Sequence, residues 1–207
     1  DYIVENVSRI LDSTGISYVK WDMNRHSVAL GAKTHDFVLG LYDVLRRIFA
    51  PRPDILLEGC SSGGNRFDLG MLCYSPQIWA SDDTDPIERL DIQSGLSYLY
   101  PQSTVGAHVS AAPHQQTLRD TPLSTRFNVA AFGVLGYELE LKYMTHAELK
   151  ELRGQIEFYK AHRKTFQFGR FYRFDERKDN KVHWQVSSRD GKEPVSYTHL
   201  TLPTNSR

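Results

Sequence analysis

Helical and strand-like periodicities alternate through the first hundred residues, and that alternation restricts the fold more than any other feature of the chain. The opening DYIVENVSRILDSTG has helical spacing and stops at Gly15, where a C-capping glycine is expected. YVKWDMN, residues 18–24, reads as a strand that turns polar at its end. HDFVLGLYDVLRRIFA, residues 35–50, places Phe37, Val38, Leu41, Val44, Leu45 and Ile48 on one helical stripe. DILLEGC (54–60) and QIWASDDTD (77–85) are two more apolar runs with polar ends. DPIERLDIQSGLSYLY then offers Asp85 as N-cap, Pro86 in the first turn, and Ile87, Leu90 and Ile92 as an apolar stripe. Helices alternating with strands in this way imply an α/β fold on a parallel sheet, open or closed into a barrel.

Further along, VGAHVSAAP (105–113) and NVAAFGVLGYELEL (128–141) read as two more strands. From Thr145 a Thr-x-x-Glu capping box opens a long helix through Leu149, Leu152, Ile156 and Tyr159. After Gly169, RFYRF and KVHWQVSS flank the charged turn DERKDN and read as antiparallel strands of a second, all-β unit. VSYTHLTLPTNSR, residues 195–207, continues no earlier pattern. Its first six residues look like a translated sequencing-adapter end, so this tail is expected to be non-native and disordered or loosely attached. The chain opens on Asp1 and not on methionine, and it is expected to be a fragment of a longer protein.

Composition excludes several function classes. Lys plus Arg equal Asp plus Glu at 25 each, so no net charge recruits nucleic acid or acidic lipid. No apolar run reaches the roughly 18 residues that span a bilayer. Cys60 and Cys73 define no disulfide framework and point to a reducing, cytoplasmic compartment. No Cys/His cluster has ligand spacing, so no metal is expected.

Lys20, Asp22 and Asn24 occupy alternate positions and therefore share one face of their strand. Asp22 and Asp82 both follow apolar strands, and in a barrel they could oppose each other across the mouth, an arrangement suited to glycoside hydrolysis. Gly63 and Gly64 would let backbone amides approach a ligand. Each element also has a plain structural reading. An aspartate after a strand is commonly a turn former, and Asp85 suits a helix cap better than an acid. Cys60 can be an inert small hydrophobe, and His108 and His114 ordinary loop residues. CSSGGNRFD lacks the Gly-Lys-Ser/Thr ending of a phosphate loop.

A resemblance decides between these readings. KWDMNR (20–25), CSSGGNRFD (60–68) and WASDDTDPIERLDIQ (79–93) resemble successive motifs of the family 36 α-galactosidases. YLYPQSTVGAHVSAAPHQQ (98–116) is similar to the segment that follows, and the likeness extends over residues 1–194. It implies a partial TIM (β/α)8 barrel, about strands four to eight, over residues 1–168, then the start of an antiparallel C-terminal β-domain over 169–194. By motif, it makes Asp22 the nucleophile and Asp82 the general acid/base. Lys20, Asn24, Cys60 and Gly63 fall to substrate binding, in a loop whose usual glycine is replaced by Asn65.

The implied reaction is retaining hydrolysis of raffinose, stachyose or melibiose, with no cofactor and, by family analogy, a homo-oligomeric parent. The rivals are a raffinose-type transglycosylase, an α-N-acetylgalactosaminidase and a non-enzymatic sugar-binding remnant. Too few strands are present to close an eight-stranded barrel, so the isolated chain is expected to be inactive or poorly folded.

Overall fold

The structure, a computed structural model, describes residues 1–24, 28–174 and 181–200. Arg25 of the first motif, the DERKDN turn and residues 201–207 lie outside the described residues. The chain divides into two compact units, Asp1–Ala80 and Ser81–Arg207.

In the first unit α1 (Tyr2–Asp12) leads into β1 (Tyr18–Asp22), followed by α2 (Thr34–Phe49), β2 (Leu56–Cys60), the short α3 (Leu69–Leu72) and β3 (Gln77–Trp79). β1 pairs with β2 and β2 with β3, both in parallel. The stripe foreseen on α2 is the buried one, with Leu45 and Ile48 fully enclosed beside Leu11, Leu57, Met71 and Ile78. Truncating Leu45 or Ile48 to alanine would cost about 2–5 kcal/mol. Helix α1 ends earlier than its glycine suggests. Its C-cap is Ser13, and the hydroxyls of Ser13 and Thr14 both donate to the Ile10 carbonyl, so Gly15 is not needed as a cap.

The second unit begins with α4 (Pro86–Leu96) and continues through β4 (Val105–Ser110), α5 (Leu123–Ala130), β5 (Val134–Glu138) and α6 (His146–Phe168). β4 and β5 are parallel neighbours. The Asp85 cap and the Thr145–Glu148 capping box are both present as read. One strand expectation needs correction. Within 128–141 only Val134–Glu138 is strand, because Asn128–Ala130 closes α5, whose Leu123, Phe127 and Val129 are buried in the local core.

β6 (Arg170–Phe174), β7 (Lys181–Ser187) and β8 (Pro194–Leu200) form an antiparallel sheet, as the alternating aromatic runs imply. The expectation of a loosely attached tail fails over Val195–Leu200. These residues are β-formers set opposite an open edge of β7, and they pair with it from Val186↔Val195 to Lys181↔Leu200, with Val195 buried. Among the described residues no helix is long and apolar enough to cross a membrane.

Candidate active site

In the first unit, pairing in parallel register sets like-facing residues of adjacent strands side by side. Lys20 lies opposite Glu58 and Asp22 opposite Cys60, while Glu58 in turn faces Gln77. Leu57 and Ile78 alternate with these residues and join the apolar cluster, so the polar residues take the other side of the sheet. Glu58 is only 2% exposed. Its Oε2 accepts from Gln77 Nε2 at 2.8 Å and from the Tyr18 hydroxyl, and its Oε1 lies 3.5 Å from Lys20 Nζ. Burial and the adjoining Glu58 carboxylate push the Tyr18 phenol well up, so it remains a donor. Lys20 Nζ also sits 4.6 Å from the centroid of the Trp79 ring. The ammonium is thus fixed from below by a carboxylate and from the side by an indole, with its own side chain partly exposed.

Asp22 ends β1 with an exposed side chain. Asn24 Nδ2 donates to its Oδ2 at 3.3 Å, and Cys60 lies opposite it on β2. The alternate-face reading of Lys20, Asp22 and Asn24 therefore holds one step beyond the end of the strand. Burial pushes the Cys60 thiol up, with the Gly63 backbone opposing and the neighbouring Asp22 carboxylate adding to the rise. Cys60 is accordingly a neutral thiol at ordinary pH.

The loop after β2 is tied to the end of β1. The Ser62 amide donates to Asn24 Oδ1 at 2.7 Å, and Ser61 Oγ to the Met23 carbonyl at 2.8 Å. Arg66 reaches back to the carbonyls of Met23 and Cys60 and to Ser61 Oγ. Gly63 has φ +80°, a conformation that suits glycine. Gly64 is required for a different reason from ligand approach: a Cβ there would lie 2.7 Å from the Ala80 carbonyl oxygen. Asn65 is exposed and donates to the Ser62 carbonyl at 3.5 Å, a contact within the loop.

In the second unit, the carboxylates of SDDTD have different environments. Asp85 is fully buried, caps α4 through the amides of Ile87 and Glu88, and pairs with Arg119 at 2.5 Å. Asp83 is partly covered and accepts from the Asp85 amide at 3.0 Å. Asp82 is exposed. Two of these carboxylates thus serve the turn, and Asp82 is presented to solvent.

The histidines divide. His108 lies within β4, not in a loop, with Nδ1 2.9 Å from Glu138, whereas His114 is in the loop as read but buried, 3.0 Å from Thr84 Oγ1. Among the described residues no group of three His, Cys, Asp or Glu side chains could hold a metal ion.

The family model described as Melibiase matches residues 1–169. The chain belongs to the melibiase family. It is 44% identical to the α-galactosidase AgaA of Geobacillus stearothermophilus, over 100% of this chain and 30% of that protein. It is 48% identical to α-galactosidase 1 of Pediococcus pentosaceus, over 93% of this chain and 28% of the relative. A crystal structure of an AgaA variant in complex with raffinose matches with a TM-score of 0.92 at 43% identity, over 100% of this chain and 30% of the other. A further variant, in complex with stachyose, gives 0.91 at 44% identity with the same coverage. This melibiase chain thus spans about 30% of the length of the relatives it matches.

Sequence reasoning missed Glu58, Trp79 and Arg66 in this melibiase site. Glu58 had a readable signal, as a charge inside an apolar run on the same strand parity as Cys60. Trp79 shares its parity with Gln77, whose partner is Glu58. Arg66 gives no local signal, because its partners lie on two different strand ends.

Proposed function

We propose that this chain carries the catalytic residues of a retaining α-galactosidase acting on raffinose, stachyose and melibiose. In this reading β1 to β5 are strands four to eight of a (β/α)8 barrel whose active site gathers at their C-terminal ends. Asp22 attacks the anomeric carbon as nucleophile, while Asp82, protonated, donates to the departing glycosidic oxygen. Asp82 then takes a proton from water, which displaces Asp22 and releases galactose. Lys20, Asn24, Cys60 and Gly63 hold the galactose ring and its hydroxyls.

The observation that carries the reading is the environment of Asp22. An exposed carboxylate at a strand end is oriented by the Asn24 amide, on the same strand face as an ammonium held by Glu58 and Trp79. Such a group can reach a substrate carbon without being free to turn away. The exposure of Asp82, beside an Asp83 and an Asp85 engaged in the turn, favours Asp82 as the acid/base. The relatives bound to raffinose and stachyose support the substrate class.

The test is covalent trapping in the protein with its barrel complete. A 5-fluoro-α-galactosyl fluoride should leave a galactosyl adduct on the peptide that contains Asp22. Turnover of an α-galactoside with the adduct on another peptide would overturn the assignment.

A further inference from the structure

Arg89 is an unusual charge for its surroundings. It projects from α4 and is only 3% exposed, and its guanidinium donates to three backbone carbonyls. Nε donates to the Asp83 carbonyl at 2.7 Å, Nη2 to the Ser81 carbonyl at 2.7 Å, and Nη1 to the Gly106 carbonyl on β4 at 3.0 Å. Burial disfavours the charge of this guanidinium, and the nearby Asp83, Glu138 and Asp82 carboxylates favour it. What the arrangement does is geometric. The planar guanidinium fork fixes three acceptors in one plane, and two of them belong to the residues on either side of Asp82.

We propose that Arg89 is a positioning residue for Asp82. The Ser81–Asp82 and Asp83–Thr84 peptide units cannot rotate without breaking a charge-assisted hydrogen bond, which is stronger than an ordinary one, and the amide of the Asp82–Asp83 unit between them donates to Ser81 Oγ at 3.1 Å. The bond to Gly106 anchors the same fork to a strand, so the loop is held against a regular element and not only against itself. Burial brings the guanidinium down to about 10, with Asp83, Glu138 and Asp82 opposing that shift, and it stays charged throughout the neutral range.

The inference rests on the proposed role of Asp82 as acid/base, and the chemistry of that role supplies the test. In the glycosylation step the Asp82 proton passes to the glycosidic oxygen as the C1–O bond breaks and the bond from Asp22 to C1 forms. A basic alkoxide such as the glucose of melibiose needs that proton, whereas fluoride leaves as the anion without it. Displacing Asp82 therefore slows melibiose selectively. A general loss of structure slows melibiose and α-galactosyl fluoride alike.

The experiment measures kcat/KM for both substrates in wild type, Arg89→Lys, Arg89→Gln and Asp82→Asn, in the protein with its barrel complete. Both Arg89 variants should lose melibiose turnover by about 100-fold, within the range of a general acid's contribution. Loss on α-galactosyl fluoride should be at least about tenfold smaller, with α-galactosyl azide formed when azide is supplied. Equal losses on both substrates, or no loss on melibiose, would overturn the proposal. Should Arg89→Gln fail to fold, Arg89→Lys carries the same comparison, since it keeps the charge but not the fork. Asp82→Asn separates the two levels of the argument. If it shows no difference between substrates, the acid/base reading of Asp82 fails and the role of Arg89 falls with it; if it does and the Arg89 variants do not, the positioning role alone fails.

Discussion

Asn24 Nδ2 donates a hydrogen bond to Asp22 Oδ2 at 3.3 Å, and the Ser62 amide donates to Asn24 Oδ1 at 2.7 Å. The chain of donors runs from the loop backbone through the Asn24 side chain to the group proposed as nucleophile. Replacing Asp22 by asparagine keeps the shape but removes the anionic nucleophile, and hydrolysis of an aryl α-galactoside should fall on the order of 10⁴-fold or more. Steady-state kinetics with thermal unfolding checks this, and retention of more than a few per cent of activity would remove Asp22 from the mechanism.

Cys60 and Cys73 should react with thiol reagents at very different rates. Cys60 is buried and its thiol is pushed up from 9.0, whereas Cys73 is exposed. Since the thiolate is the reactive form, alkylation at pH 8 should reach Cys73 first, with activity falling only as Cys60 is modified. The sign for stability follows from the same shift. The neutral thiol is favoured in the folded state, so its contribution is intact below the unfolded value and is lost as pH rises through the higher folded one. Mass spectrometry of peptides over a time course decides between the two sites.

Asp85 should be the most stability-critical carboxylate of its run. Burial alone would raise its carboxyl, but the Thr117 hydroxyl, the Ile87 amide and the Arg119 guanidinium hold it below 3.8. A depressed carboxylate contributes stability that is present above the unfolded value and lost as pH falls through the folded one. Asp85→Ala should cost about 3 kcal/mol at pH 7, the scale expected when one partner of a buried pair is removed. Urea melts at pH 7 and below pH 4 should show the difference between wild type and variant shrinking in acid.

These two aspartates also show which parts of the chain are readable without coordinates. Asp85 is legible because capping is local: an aspartate before Pro86 can be judged from a few neighbouring residues. Lys20, Asp22 and Asn24 are legible because strand parity is fixed by the backbone. The buried face of α4 is not. Arg89, Gln93 and Ser94 lie on it with Leu90, while Ile87 and Ile92 are only partly covered, so a search for apolar period finds the wrong stripe. Helix α5 was hidden for a related reason, since its buried Arg126 is satisfied by the carbonyls of Ser110 and Thr121, contacts made only after folding. β8 depended on the free edge of β7, which no local pattern reveals.

Gly63 and Gly64 adjoin in sequence but should respond differently to alanine. Gly63→Ala places a Cβ on a backbone at φ +80° and should cost about 1–2 kcal/mol of strain. Gly64→Ala forces a Cβ to within 2.7 Å of the Ala80 carbonyl, so the loop itself must move. Because that loop holds Asn24 through the Ser62 amide, kcat/KM should drop by about tenfold or more, on the scale of a displaced catalytic shell. Paired melting curves and kinetics test this. A Gly64→Ala enzyme with normal kcat/KM would show that the loop tolerates the shift.

The open edge of β1 leads to a prediction about the chain in isolation. Among the described residues β1 pairs only with β2, so its other side presents unpaired amides and carbonyls. Tyr18 and Leu56 are 45% and 42% exposed nearby, and α1 leaves Tyr2 and Ile3 uncovered. An edge strand with apolar neighbours and no proline, whose lysine is drawn to Glu58 and Trp79, is a template for association between copies. The chain purified alone should therefore elute as aggregates in size-exclusion chromatography with light scattering, and should not hydrolyse an aryl α-galactoside. A monodisperse, active preparation would mean that β1 needs no further strand, and that the groups around Asp22 suffice without the rest of a barrel.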